Sequence, residues 1–415
     1  MKVSVDDLAI FGGAPAFPEV LHVGRPNIGD RGRLLARIND LLDRRWLSNN
    51  GPYLEEFEQR LVELTGVPHC VAMCNGTVAL EIAIRAAGLA QEVIVPSFTF
   101  VATAHALQWQ GITPVFCDVD PHTHLLDPCR IEELITPRTT GIIGVHLWGR
   151  PCRIDELTDI ARRHGLRLLF DAAHAFGCSH QGRMIGGFGD AEVFSFHATK
   201  FLNSFEGGAV ATADGELANR MRMMRNFGFV DYDEVRYVGT NGKMAEVAAA
   251  MGLTSLESMA EFTAVNRRNY HCYRACLEEV PGLSLVTYDE GERCNFQYVV
   301  LEVEPGVRRL GRDLLQRILL AENVFARRYF YPGCHRMEPY RSYFPSARLL
   351  LPQTERLVNR VLSLPTGTAI GPEQIETICD VVRLALSQAP EITERMAQAA
   401  PLPVPPVLER PWEVT

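Results

Sequence analysis

Seven short apolar runs constrain this chain most. They fall at residues 69–74, 92–97, 113–119, 139–147, 166–172, 190–196 and 207–213. Several are separated by stretches with helical spacing, such as VALEIAIRAAGL at 78–89. Short runs that alternate with helices predict an α/β fold, a largely parallel sheet covered on both faces. The last two runs are joined too tightly for a helical crossover, so one strand there should run antiparallel.

At 415 residues the chain is long enough for two domains, or for one large domain with an appendage. Residues 1–25 read as an irregular arm, with turn chemistry at Gly12-Gly13-Ala14-Pro15. Leu34, Leu35, Ile38, Leu41 and Leu42 predict a helix within 28–47, and Glu55 to Leu64 a second one. A helix with Arg220, Arg222 and Arg225 on one face covers 215–226, and a polar loop follows at 230–242. A long helical pattern from Met244 to about Val280 bridges to a smaller C-terminal unit. That unit should hold a strand at 296–303 and helices near 309–323, 352–362 and 372–387. The divisions expected are an arm (1–25), a large domain (26–255), a small α/β domain (256–388) and a Pro-rich tail (389–415). The tail contains PLPVPPVLERP and is expected to be extended or loose.

Composition narrows the class without naming it. The chain is 47% hydrophobic and 22% charged, as ordinary globular proteins are. A net charge of -9 with no Lys/Arg cluster argues against nucleic-acid binding, although a local pocket can oppose the global sign. Eleven cysteines are scattered, and Cys70 and Cys74 have no matching second pair, which reads as buried thiols in a reducing compartment. The N-terminal residues have no apolar core of signal-peptide length, and no run approaches a membrane span. A cytoplasmic location, away from membranes, is the expectation.

The chemistry concentrates around Phe194-Ser-Phe-His-Ala-Thr-Lys200 and the following FLNSFEGG. A lysine ending a buried strand is unusual, because an unpaired buried ammonium is expensive. The expense disappears if the amine is condensed onto a carbonyl, so Lys200 is a candidate covalent attachment point. Asp171 and His174, in LLFDAAH, end another apolar run. A buried carboxylate there needs a cationic partner, either a protonated ring nitrogen or an arginine. Asn75-Gly76-Thr77 lies between a strand and a helix. It is either a phosphate site on a helix N-terminus or a plain cap. Phe98 and Phe100 follow the second strand, at the edge where open α/β sheets bind ligands.

FDAAHAFG, FSFHATK and EGGAV, taken in this order, resemble the pyridoxal-phosphate sugar aminotransferases of the DegT/StrS type. The resemblance extends from WLSNNGPYLEEFE near residue 50 to LSLPTG near residue 365. It implies aminotransferase fold type I, a mostly parallel seven-stranded sheet with a smaller C-terminal α/β domain. It also implies pyridoxal 5′-phosphate held by Lys200, with Asp171 on the ring nitrogen and His174 on the ring's phenolic oxygen. Gly76, Thr77 and Ser195 would take the phosphate, and Phe100 would stack on the ring. Asn241 would reach the neighbouring subunit's phosphate in a homodimer. Two residues on, the family's usual arginine is Lys243 here, which acts only as a point charge. His335 and Tyr331, in YPGCHRMEPY, match the family's substrate side, and His197 either faces substrate or packs.

The activity implied is amino transfer from L-glutamate to a nucleotide-linked keto sugar. HATK with FEGG points to carbon 4 and a thymidine diphosphate carrier. The alternatives are a 3-aminotransferase, a sugar dehydratase, or, outside enzymes, a DNA-binding regulator. Some dehydratase relatives replace the lysine with histidine, and Lys200 is present. Antibiotic deoxysugar and cell-surface polysaccharide pathways are both open.

Overall fold

The computed structural model describes residues 2–304, 306 and 310–398. All seven apolar runs become strands of one sheet. They are His69–Met73, Glu92–Pro96, Thr113–Cys117, Thr139–Val145, Arg167–Asp171, Ala191–Ser195 and Gly208–Thr212. In space, the first, seventh, sixth, fifth, fourth, second and third of these lie side by side. Every pairing is parallel except the two made by Gly208–Thr212, which runs antiparallel to His69–Met73 and to Ala191–Ser195. The tight connection after residue 195 is therefore a return within the sheet, as its shortness required.

Helices cover both faces. Phe57, Leu61, Ile94, Leu157, Phe170 and Phe194 pack in one apolar layer, and Val71, Leu80, Ile84, Val95, Leu169 and Val210 in the other. Neighbours in the sheet such as Leu169 and Phe170 point to opposite layers, as a pleated strand buried on both faces must.

The C-terminal unit is an antiparallel sheet of Leu283–Leu285, Val299–Val303 and Val361–Leu364. Helices Met259–Leu277, Arg312–Ala321 and Pro372–Ser387 pack on it through Tyr270, Leu315, Ile318 and Ile378. The arm belongs to this layer. Val5, Leu8 and Phe17 are buried in the same cluster, and Leu21–His22 pairs with Val324–Phe325.

Several expectations need correction. The segment 352–362 is not one helix. It ends at Leu357, and residues from Val361 pair with Val299–Val303. The bridge is two helices, Glu246–Glu257 and Met259–Leu277, separated at Ser258, whose φ of -99° and ψ of 2° leave the helical range. The polar loop at 230–242 contains a short hairpin, Phe229–Asp231 with Glu234–Val235. The tail begins as a helix, Ala389–Gln398, because Ala389 and Ile392 still have a core to bury against. Its Pro-rich part from 399 lies outside the described residues.

Candidate active site

A cavity of about 520 Å³ opens at the carboxyl edge of the sheet. Strand ends and the turns after them build its floor. Arg167–Asp171 delivers Asp171, which is 9% exposed. Its Oδ2 accepts the Thr103 hydroxyl at 2.8 Å, and its Oδ1 accepts the Ala173 N–H at 3.1 Å. Burial raises its pKa, while those two donors and Lys200 pull the other way.

Ala191–Ser195 leads into the turn that carries Lys200. This turn is pinned from several sides. Phe196 N–H donates to Gly207 O, and Ser204 N–H to Phe196 O. Asn27 and Asn203 each donate a side-chain amide to the other's neighbourhood, Asn27 to Phe201 O and Asn203 to Asn27 O, both at 2.9 Å. The lysine backbone is thus fixed while its side chain reaches into the cavity. Burial lowers its pKa to about 8, with Asp171 holding it up.

The third wall is the N-terminus of the helix Gly76–Ala86. Asn75 caps it by accepting the Val78 N–H at 2.8 Å. The N–H groups of Gly76 and Thr77 have no acceptor within the helix and face the cavity's end. Space there is tight. A Cβ on Gly76 would lie 2.9 Å from Ser195 Cβ, and one on Gly208 only 2.7 Å from Asn75 O. Phe100, 56% exposed, lines the cavity, whereas Phe98 is fully buried in the core.

The sequence signature of the DegT/DnrJ/EryC1/StrS aminotransferase family matches residues 30–383. The chain belongs to this family. Its fold closely follows that of DesI, analysed crystallographically in the presence of its TDP-sugar product. The TM-score is 0.91 at 52% identity, over 95% of this chain and 100% of that one. A dTDP-4-amino-4,6-dideoxy-D-glucose transaminase of Shigella dysenteriae is 36% identical over 364 residues, 88% of this chain and 98% of the relative. A UDP-N-acetyl-3-dehydro-alpha-D-glucosamine 3-aminotransferase of Acidithiobacillus ferrooxidans is 35% identical over 363 residues, covering 86% and 94%. The protein is thus a sugar aminotransferase of the pyridoxal-phosphate-dependent type.

The residues present fit that cofactor. Asp171 is a buried carboxylate with spare acceptor capacity, which suits a protonated ring nitrogen. The helix N-terminus and Ser195 form a cradle that a Cβ on Gly76 would fill. Lys200, half-buried with a lowered pKa, lines the same cavity.

Within this family frame, the expected residues divide into two groups. Lys200, Asp171, His174, Gly76, Thr77, Phe100, Ser195 and His197 all line the cavity. Tyr331, His335, Asn241 and Lys243 do not. His335 is 2% exposed and borders a separate recess, and both of its ring nitrogens are engaged within the chain. Ser97 Oγ lies 2.7 Å from Nδ1, and Glu355 Oε1 lies 2.8 Å from Nε2. It clamps the 334–336 turn to the end of Glu92–Pro96, where Cys334 N–H also donates to Ser97 O. Tyr331 lies under the Arg328 guanidinium, 4.5 Å from its ring centre, and borders the same recess. Asn241 and Lys243 bond each other at 2.5 Å on the exterior.

Sequence reasoning missed Thr103, Tyr298, Tyr329, Phe330 and Arg327. Thr103 had a faint signal, since it lies four residues after Thr99, and the two hydroxyls are 3.1 Å apart. The others reach the cavity from the C-terminal unit, far away in the chain.

Proposed function

We propose that the protein transfers the amino group of L-glutamate to carbon 4 of a keto sugar carried on thymidine diphosphate, giving a 4-amino sugar nucleotide. The observation that carries the reaction class is Lys200 and Asp171 lining one cavity beside a helix N-terminus. The sugar and its carrier are supported by the similarity to DesI and to the Shigella transaminase. The 35% likeness to a 3-aminotransferase keeps carbon 3 as the second reading.

Lys200 would hold the cofactor covalently through Nζ, with Asp171 facing the ring nitrogen. Gly76 and Thr77 N–H groups, with the Ser195 hydroxyl, would take the phosphate. Phe100 would cover the ring face. Bound there, pyridoxal phosphate supplies an electron sink that makes the amino donor's Cα–H acidic. The amino donor would displace Lys200 Nζ from the cofactor, and the freed amine would take that proton and later deliver one to the sugar's amine-bearing carbon. With its pKa near 8, a useful fraction of Lys200 is neutral at mildly alkaline pH, which suits a general base. Thr103 keeps Asp171 oriented throughout.

Asn241 and Lys243 lie outside the chain's own cavity, and this supports a homodimer in which they serve the neighbour's phosphate subsite. Mixing inactive Lys200→Ala and Asn241→Ala proteins should then restore part of the activity. A lack of rescue in mixed dimers overturns the shared site.

The reaction itself is tested by incubating the purified protein with glutamate and a panel of thymidine- and uridine-diphosphate keto sugars. Aminated product is followed by mass, and its ring position by NMR. Borohydride should fix the cofactor on Lys200. Turnover that survives Lys200→Ala within tenfold of wild type would sink the assignment; a fall of about 10³-fold or more is expected.

A further inference from the structure

His174 was expected to contact the cofactor's phenolic oxygen. The hydrogen bonds around it point elsewhere. Trp148 N–H lies 3.4 Å from His174 Nδ1, and a backbone N–H can only donate, so Nδ1 is an acceptor. That N–H is aimed by an unusual backbone, because Trp148 sits at φ 62°, ψ 10°. The imidazole is buried and its pKa falls well below the ordinary value, so the ring is neutral and carries its one proton on Nε2. Nε2 lies 3.0 Å from the Tyr298 hydroxyl.

Tyr298 is 8% exposed and lines the cavity with Lys200. Its oxygen accepts from His174, and burial keeps the phenol protonated. The Gln297 side-chain amide also approaches this hydroxyl and holds its pKa down, as a donor does, which leaves the Tyr298 O–H to be offered into the cavity. Everything that holds this pair is itself tied down. The Tyr288 hydroxyl bonds both Trp148 O and Tyr298 O, at 3.1 and 2.6 Å. Asn295 Nδ2 donates to His174 O at 2.9 Å. Gln297, next to Tyr298, accepts the Phe201 N–H at 3.3 Å, which joins this segment to the lysine turn.

We propose that Tyr298 is a further catalytic residue: its hydroxyl is the hydrogen-bond donor that this side of the cavity presents to the bound cofactor or substrate oxygen. His174 is the positioning residue behind it, fixed as the Nε2–H tautomer by Trp148. The role requires hydrogen-bond donation only, so no proton is lost or gained overall. It rests on the pyridoxal reading of the cavity, but part of its test does not.

The first measurement is nitrogen-15 NMR of His174 in the wild-type protein without cofactor. The expected signal is a neutral ring with Nε2 protonated and Nδ1 bare; a ring protonated on Nδ1 overturns the proposal and leaves the function untouched. The second is a pH titration of the visible absorbance of holoenzyme. Tyr298→Phe should shift its midpoint by about one pH unit and lower kcat about tenfold with little change in KM. Tyr273→Phe, which loses a buried hydroxyl bonded to the Pro365 carbonyl in the C-terminal core, should leave the midpoint in place. A Tyr298→Phe midpoint equal to wild type, or an equal shift in Tyr273→Phe, overturns the assignment. Tyr298→Phe and His174→Gln should also be non-additive, the double variant being no slower than the slower single one; additive losses count against it. A wild-type protein that takes up no pyridoxal phosphate would instead overturn the functional reading.

Discussion

Two buried carboxylates show how this molecule treats charge differently in its two halves. Glu322, in the C-terminal layer, is fully buried and fully answered. It accepts the N–H groups of Ala9 and Ala16 at 2.8 Å each and pairs with Lys2 at 2.9 Å. Asp171, in the cavity, has one hydroxyl and one N–H, and burial still pushes its pKa up. The first carboxylate holds the arm to the layer. The second is left short of positive charge, and in the proposed function a ligand would supply it. A group that stabilises the fold is saturated by its own chain, whereas a group that does chemistry is kept incomplete.

The contrast can be broken by substitution. Asp171→Asn should reduce turnover by about 10²- to 10³-fold. It should leave the melting temperature of the cofactor-free protein unchanged or higher, since an underpaired buried charge has been removed. A clear loss of stability in that variant would refute the idea that Asp171 is under-answered. Glu322→Ala should do the reverse. Unfolding by denaturant should show a loss of about 3 kcal/mol, with activity per folded molecule retained.

The pH dependence of stability sharpens the same contrast. Lys200 has a folded pKa near 8 against an ordinary 10.5. Below the folded value the chain must keep a charged ammonium in a poorly hydrated place, and this group detracts from stability. Between the two values the unfolded chain binds more protons than the folded one, so stability rises with pH. The cofactor-free Lys200→Met protein should therefore exceed wild type by up to about 3 kcal/mol at neutral pH, and the gap should close toward pH 10.5. A gap that stays constant across that range means the ammonium is well solvated. The smallest effect is expected at the cap: Asn75→Ala should cost about 1 kcal/mol in denaturant unfolding, with weaker retention of the phosphate-bearing cofactor.

How far the sequence reached follows from chain distance. The sheet was legible because each strand announces itself locally, with apolar residues on consecutive positions and a turn at each end. Even the reversal of Gly208–Thr212 was readable, from a connection too short for a crossover. Asp171 was legible because charge at the end of a buried strand violates local expectation; Lys200 was singled out on the same ground, although the strand ends at Ser195 and the lysine sits in the turn beyond it. Tyr298 was not, because a tyrosine within an apolar strand violates nothing, and only folding brings it to His174 from 124 positions away. His335 is the opposite case. Its local context, Tyr-Pro-Gly-Cys-His-Arg, draws the eye, but its partners Ser97 and Glu355 are far away in the chain and could not be read from it. Residues 352–362 read as one helix because apolar spacing over a few residues cannot separate a helix end from the strand that follows it.

The arm deserves a practical reading. After pairing beside Val324–Phe325 it continues past the lysine turn, where Val23 forms part of the cavity wall. Gly24 follows at φ +76°, so close to Thr199 that a Cβ would stand 2.9 Å from its Cβ. Trimming the first two dozen residues for easier expression would therefore do more than shorten a loose end. It would open the catalytic chamber to bulk water from one side.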